Sequence, residues 1–175
     1  MKTKIPQSPL CLWVGEDTRL APLWLILRLY LAWIWLEAGW EKLVDPKWVG
    51  SGAGQALAGF VSGAIQKASG EHPQVLSWYA WFLEHVVLPH AAIFSYLVTF
   101  GEILVGVSLL LGILTALGLI GGLFMNFIFM FAGSSGINPL MLLMQLVVLV
   151  AWRTAGWIGL DRWVLPLIVK NNERT

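Results

Sequence analysis

Residues 91–114 have the sequence AAIFSYLVTFGEILVGVSLLLGIL, an apolar run in which Glu102 carries the only charge. A helix needs about 20 mostly apolar residues to cross the hydrocarbon core of a bilayer. This run is long enough, and Pro89 lies just before it as a helix-start signal. The stretch therefore predicts a membrane-spanning helix with one ionisable side chain inside it.

Three further apolar segments have the same character. We predict spans at about 21–44, 115–132 and 138–153, in addition to 91–114. The composition agrees, because 58% of the 175 residues are hydrophobic and only 12% are charged, whereas a soluble domain has about 25% charged residues. We therefore predict one all-α domain over residues 1–175, an integral membrane bundle of four transmembrane helices.

The connection between the first two predicted spans, residues 46–90, is long and more polar than its neighbours. It contains two helix-like stretches, at about 53–68 and 74–88, that are too polar to span a bilayer. Tryptophan, which is favoured at membrane–water interfaces, occurs 11 times in the chain. We predict that both stretches are helices lying in the membrane interface.

Lysine and arginine placement predicts the orientation, because cytoplasmic loops of membrane proteins are enriched in these residues. With four spans, both termini lie on one side of the membrane. That side carries Lys2, Lys4, Arg19, Arg162, Lys170 and Arg174, and the other side carries Lys42, Lys47 and Lys67. We therefore predict a multi-pass protein of the cell membrane with cytoplasmic termini and an extracytoplasmic large loop.

Polar side chains inside the predicted spans are costly in lipid and usually serve a purpose. They are Arg28 and Glu37 in the first span, Glu102 in the second, Asn126 in the third, and Gln145 and, at its end, Arg153 in the fourth. Small and polar residues align on one face of each span, so we predict a bundle with a polar centre and an Arg28–Glu102 ion pair. Structural glue between helices and a proton- or ligand-binding site both remain open as roles for this centre.

Several kinds of chemistry are excluded or disfavoured by the sequence. The formal net charge of +1 provides no basic footprint for nucleic acid. The single cysteine, Cys11, excludes an intrachain disulfide or a paired-cysteine redox centre. All three histidines, His72, His85 and His90, fall in the large loop, so we predict neither a metal site nor a haem.

Several short segments, taken in order, resemble a known family of membrane proteins. They are Arg28 at the start of the first span, residues 39–43 (GWEKL) with 45–48 (DPKW), residues 100–106 (FGEILVG) with 109–115 (LLLGILT), and residues 155–162 (AGWIGLDR). This order and spacing resembles the DoxX/DoxD family of four-span proteins over most of residues 23–166. The long outer loop looks more like the DoxD branch, the small subunit associated with thiosulfate:quinone oxidoreductase.

The resemblance implies electron transfer from a reduced sulfur compound such as thiosulfate to membrane quinone. On this reading Glu102 and Arg28 are the catalytic pair, with Glu102 shuttling a proton. The expected quinone-binding residues are Trp35, Glu37, Trp40, Lys42, Asn126 and Gln145. No residue constellation in the chain is suited to holding electrons, so we expect a donor bound beside the quinone or a partner subunit with a cofactor.

Two other functions remain open alongside a quinone-linked enzyme. One is a non-enzymatic membrane scaffold for a partner oxidoreductase, and the other is a small anion transporter in which Arg28 contacts the anion. Whether the chain is catalytic by itself stays undecided at this point. The expected partners are the lipid bilayer, membrane quinone and a second oxidoreductase subunit, with a homo-oligomer as a further candidate.

Overall fold

The computed structural model describes residue 15 and residues 17–172, and every regular element within that part of the chain is helical. The all-α prediction is therefore confirmed for the described residues. Lys2, Lys4, Cys11 and Arg174 lie outside them. The α-helices are α1 (Ala21–Val44), α2 (Gln55–Gln66), α3 (Ser77–Phe82), α4 (Ala91–Leu111), α5 (Thr115–Phe131), α6 (Asn138–Val150), α7 (Trp152–Trp157) and α8 (Asp161–Asn172).

Local sequence signals explain where the long helices begin and end. Pro22 lies in the first turn of α1, where its missing N–H removes no helical hydrogen bond. The helix stops at Val44 because Asp45 precedes a proline and adopts an extended conformation, with ψ 115°. Helix α4 stops at Gly112, which has a left-handed φ of 60°. The helices therefore begin and end close to the predicted spans. The differences are that α4 ends at Leu111, before the predicted end at 114, and that α6 ends at Val150, before the predicted end at 153.

The four longest helices of the bundle pack in a closed ring. Helix α1 makes its most extensive contact with α4, α4 packs on α5, α5 packs on α6, and α6 and α7 return to α1. Helices α1 and α4 approach closely because glycine lies at the crossing: a Cβ at Gly39 would come within 2.7 Å of Ile103, and one at Gly106 within 2.6 Å of Leu36. The core between the helices includes Leu31, Trp35, Leu109, Leu119 and Val148.

The connection between α1 and α4 forms a second layer with its own core. Helix α2 packs against α4 and against a π-helical segment, Leu83–Val87, that follows α3. Buried residues of this layer include Leu57, Val61, Tyr79 and Leu83. The predicted stretch at 53–68 corresponds to α2, whose observed bounds are slightly shorter.

The predicted helix at 74–88 is present from Ser77, but the prediction that it is separate from the following span is wrong. The structure joins α3, the π-helical segment, a 3-10 turn at Leu88–His90 and α4 into one helical run, Ser77–Leu111. Pro89 interrupts the α-helical hydrogen bonds without ending the helical path, because it falls in the first turn of the short 3-10 segment. In sequence alone, the same proline predicts the start of an independent helix.

Two helical runs in the described part of the chain, Thr18–Val44 and Ser77–Leu111, are long and apolar enough to cross a membrane by length and composition. Helices α5 and α6 are apolar but shorter. All four bundle helices expose large apolar side chains on their outer faces, among them Ile26, Trp33, Leu97, Leu104, Leu117, Phe124, Leu143 and Val150. A surface with so many exposed apolar side chains is typical of a protein that contacts lipid or a partner.

Candidate functional site

A cavity of about 340 Å³ lies at the end of the bundle that carries the long connection, and we call it the outer cavity. Its walls come from α1, α4, the ends of α5 and α6, and the connection that folds back over them. The lining residues are Ile34, Trp35, Ala38, Lys42, Trp48, Leu57, Phe60, Glu102, Phe129, Ser134, Ile137, Asn138 and Met141. The lining is therefore mostly apolar, with a few polar groups and one pair of charges.

The two charges of the outer cavity form an ion pair between α1 and α4. Lys42 Nζ lies 2.8 Å from Glu102 Oε2. The Glu102 side chain is only 2% exposed, whereas that of Lys42 is 20% exposed. Lys42 Nζ also donates to the Ala38 carbonyl at 3.3 Å and lies 5.2 Å from the centroid of the Trp48 ring. Among the described residues, Lys42 is the only cation that contacts the Glu102 carboxylate.

A layer of buried polar atoms lies beneath Trp35, which lines the outer cavity. Asn126 Nδ2 donates to Gln145 Oε1 at 2.8 Å, and both side chains are fully buried. Within the described chain, Asn126 Oδ1, Gln145 Nε2 and Trp35 Nε1 have no hydrogen-bond partner. A Cβ on Gly122 would collide with Gln145 Nε2 and would lie 3.2 Å from Trp35 Nε1, so both donors pack closely against Gly122. Unpaired buried donors of this kind suit a ligand oxygen or an ordered water.

Arg28 lies at the opposite end of the bundle, and the predicted Arg28–Glu102 ion pair is wrong. Its guanidinium donates from Nη1 to the Ala155 carbonyl at 2.7 Å and from Nη2 to the Ile158 carbonyl at 2.8 Å. It packs against Gly112, which lies ten residues along α4 from Glu102, or ~15 Å at the helical rise. An ion pair with Glu102 requires the Arg28 side chain to extend toward the bundle centre. The carbonyls at the end of α7 lie nearer to the guanidinium and accept its hydrogen bonds.

Asp161 completes the arrangement around Arg28. Its Oδ1 accepts from the backbone N–H of Leu114 at 2.6 Å, and its Oδ2 accepts from that of Thr115 at 2.9 Å. Its own N–H donates to the Gly112 carbonyl at 2.7 Å. The carboxylate thus caps the start of α5, where helical N–H groups lack intrahelical partners and where Leu114 has a φ of 50°. We call Arg28, Gly112, Gly159 and Asp161 the inner clamp.

Glycine is required at two positions of the inner clamp. A Cβ at Gly112 would collide with Arg28 Nη1, and its positive φ is unfavourable for any other residue. A Cβ at Gly159 would lie 2.9 Å from the same nitrogen. The clamp therefore ties α1, the α4–α5 connection and the segment after α7 together. This geometry gives the Arg28 guanidinium backbone carbonyls as partners at this end of the bundle, away from Glu102.

The predicted site residues separate into three groups in the structure. Trp35, Lys42 and Glu102 line the outer cavity, and Asn126 and Gln145 lie directly beneath it. Glu37 and Trp40 do not line the cavity. Both point away from the bundle, and Trp40 is 63% exposed. Arg28 belongs to the inner clamp.

Sequence reasoning missed several residues of the outer cavity because they lie near connections between helices. Ser134 and Asn138 flank the turn between α5 and α6, and Asn138 Nδ2 donates to the Ser134 carbonyl at 3.2 Å. Trp48 follows α1 and folds back over Lys42. In the sequence, the DPKW segment at residues 45–48 marks the turn after α1, but it does not show in which direction the chain continues.

Comparison with known proteins identifies one relationship. A family model described as "TQO small subunit DoxD" matches residues 23–175, which is most of the chain. No curated protein and no solved structure shows a match. The matched range contains both the outer cavity and the inner clamp.

Proposed function

The chain belongs to the DoxD family, and from this we propose that it is the membrane subunit of a quinone-linked oxidoreductase that passes electrons from a reduced sulfur compound such as thiosulfate to membrane quinone. The family description is that of a small subunit, and it supports a second oxidoreductase subunit as partner. On this proposal, the outer cavity binds the quinone head group.

The observation that carries this proposal is the buried Glu102 carboxylate in the wall of the outer cavity. A quinone head group requires an apolar cleft with a few polar contacts and a group that transfers protons. Reduction of a quinone to its quinol takes up two electrons and two protons. Glu102 is the residue placed to pass protons to a head-group oxygen, and Lys42 is placed to stabilise negative charge that develops there.

The buried donors beneath the cavity support the same assignment. Trp35 Nε1 and Gln145 Nε2 lack hydrogen-bond acceptors within the described chain, and both lie close to Gly122. Of these two residues Trp35 lines the outer cavity, so its indole N–H is the donor that we assign to the second carbonyl oxygen of the quinone. Electrons then reach the ring from a donor bound beside it or from a cofactor of the partner subunit.

We also propose that the bundle crosses the membrane four times. Helices α1, α4 and α5 are three of the spans. Helix α6 has 13 residues and is only ~20 Å long, so α6 and α7 together form the fourth span. With both termini in the cytoplasm, the outer cavity lies toward the extracytoplasmic face. Quinone reduction would then take place in the outer half of the bilayer.

The alternative of an anion transporter receives less support from the geometry than it did from the sequence. That alternative used Arg28 as the contact for the anion. The Arg28 guanidinium already donates to two carbonyls, and the charge of Asp161 acts on it.

The scaffold alternative requires neither the outer cavity nor its charges to take part in any reaction, so substitutions in the cavity distinguish it from an enzyme.

We expect Ala38→Phe to raise the KM for a quinone analogue by about tenfold or more, because the added ring occupies space in the outer cavity while Lys42 and Glu102 are retained. The assay is thiosulfate-dependent reduction of a soluble quinone analogue by the protein and its partner subunit in nanodiscs. Trp33→Phe places the same residue on the exposed face of α1 and is expected to leave the KM unchanged. Equal KM values for wild type and Ala38→Phe, with normal turnover, would contradict quinone binding in this cavity.

A further inference from the structure

A second chamber of about 290 Å³ lies between the outer layer and the bundle, and we call it the apolar chamber. Its walls come from α2, the α3 and π-helical segment, α4 and α5. Within the described part of the chain, Tyr79 is the only lining residue with a polar side chain, and its hydroxyl donates to the Ile128 carbonyl at 3.0 Å. The chamber therefore offers a ligand hydrocarbon contact and no free hydrogen-bonding group.

The apolar chamber adjoins the outer cavity. Leu57, Phe60 and Phe129 line both of them, so the two spaces lie side by side at these three side chains. Taken together, the two spaces have the Lys42–Glu102 pair at one end and only hydrocarbon and aromatic surface at the other. A site with this division fits a molecule that has a polar head and an apolar tail.

The apolar chamber also reaches the outer surface of the bundle. Leu97 on α4 and Phe124 on α5 belong to its lining, and they are 61% and 66% exposed. Both helices face outward with apolar side chains at this level. On the proposed membrane placement, this edge faces lipid, and a tail that leaves the chamber between Leu97 and Phe124 enters the bilayer core.

We propose that the apolar chamber holds the isoprenoid tail of the quinone whose head group occupies the outer cavity, and that it is the route by which quinone enters from the membrane. This inference rests on the proposed function. Charge favours a quinone over a phospholipid as the occupant. Among the residues that the structure describes, Lys42 is the only cation in the outer cavity lining, and Glu102 neutralises it, so the cavity suits an uncharged head group.

The test compares binding of two analogues with the same head group, one without a tail and one with a short isoprenoid tail. Val98→Phe on α4 narrows the apolar chamber, and Leu104→Phe places the same residue on the lipid-facing side of α4, outside the chamber. Binding is measured on purified protein in detergent. The detergent takes up the tailed analogue to the same extent for every variant, so the ratio of dissociation constants between two proteins is independent of this uptake. If Val98→Phe does not fold, Met125→Phe narrows the chamber from the α5 wall.

We expect Val98→Phe to weaken binding of the tailed analogue by about tenfold or more, because the added ring displaces tail methylene groups from apolar surface that shields them from water. Binding of the tailless analogue should change by less than about twofold, and Leu104→Phe should change neither. Equal effects on both analogues, no effect on either, or a copurified phospholipid that the tailed analogue does not displace would overturn the tail assignment alone. A wild-type protein that binds neither analogue would overturn the proposed function and the tail assignment together.

Discussion

Replacing Glu102 by glutamine is expected to lower quinone reduction by about 100-fold or more, because general acid–base groups contribute about 10²–10⁴-fold to rate. The amide keeps the size of the side chain in the outer cavity but cannot give or take a proton. Lys42 loses its counter-charge, but its side chain is 20% exposed and has room to turn toward water. We therefore expect the variant to fold and to bind its partner subunit while losing turnover.

The measurement is steady-state reduction of a quinone analogue at saturating quinone, with melting temperature and partner binding as checks on folding. Glu71→Gln is the matched control, because Glu71 is an exposed acid in the connection before α3 and lies outside the outer cavity. It should retain the wild-type rate. Full turnover by Glu102→Gln at normal expression would remove Glu102 from the mechanism.

Arg28→Ala is expected to lower the free energy of unfolding by about 3–5 kcal/mol, the usual cost of removing one partner from a buried charged group. The variant leaves the Ala155 and Ile158 carbonyls without their donors and leaves the buried Asp161 without the nearby cation. Thermal or denaturant unfolding in mild detergent measures the loss. Arg162→Ala, at an exposed arginine next to Asp161 in sequence, should change stability far less.

Double-mutant cycles separate the inner clamp from the pairing that the sequence predicted. Arg28→Ala and Asp161→Asn should be coupled, because both groups belong to the clamp. Arg28→Ala and Glu102→Gln should be additive within about 0.3–0.5 kcal/mol, as expected for distant sites. Coupling between Arg28 and Glu102, or a melting temperature for Arg28→Ala equal to that of wild type, would contradict the arrangement described for Arg28.

The helices could be predicted from the sequence because each depends on a local signal. Helix α1 can be located from three such signals, which are an apolar run, a proline in its first turn and a proline after Asp45. The burial of Arg28, Glu102, Asn126 and Gln145 also followed from the apolar sequence around them. The run Ser77–Leu111 was divided wrongly, because a proline between two turn types looks in sequence like a helix start.

Partners of the buried charges could not be predicted in the same way. Arg28 bonds to backbone carbonyls that lie more than a hundred residues away in sequence, and a carbonyl has no residue type by which to recognise it. Lys42 and Trp40 are both predicted to bind quinone, but the rotation of α1 turns Lys42 toward Glu102 and turns Trp40 outward. The aromatic partner over Lys42 is instead Trp48, which depends on the path of the chain after α1.

Photolabelling with an azidoquinone tests most directly whether the outer cavity binds quinone. The purified protein and its partner subunit in nanodiscs are illuminated with the probe, and labelled peptides are identified by mass spectrometry. We expect adducts within residues 34–48 and 134–141, which line the outer cavity, and we expect excess unlabelled quinone to prevent them. Quinone binding in the outer cavity would be contradicted if the adducts that unlabelled quinone prevents lay only at the inner clamp or only on the outer faces of the helices.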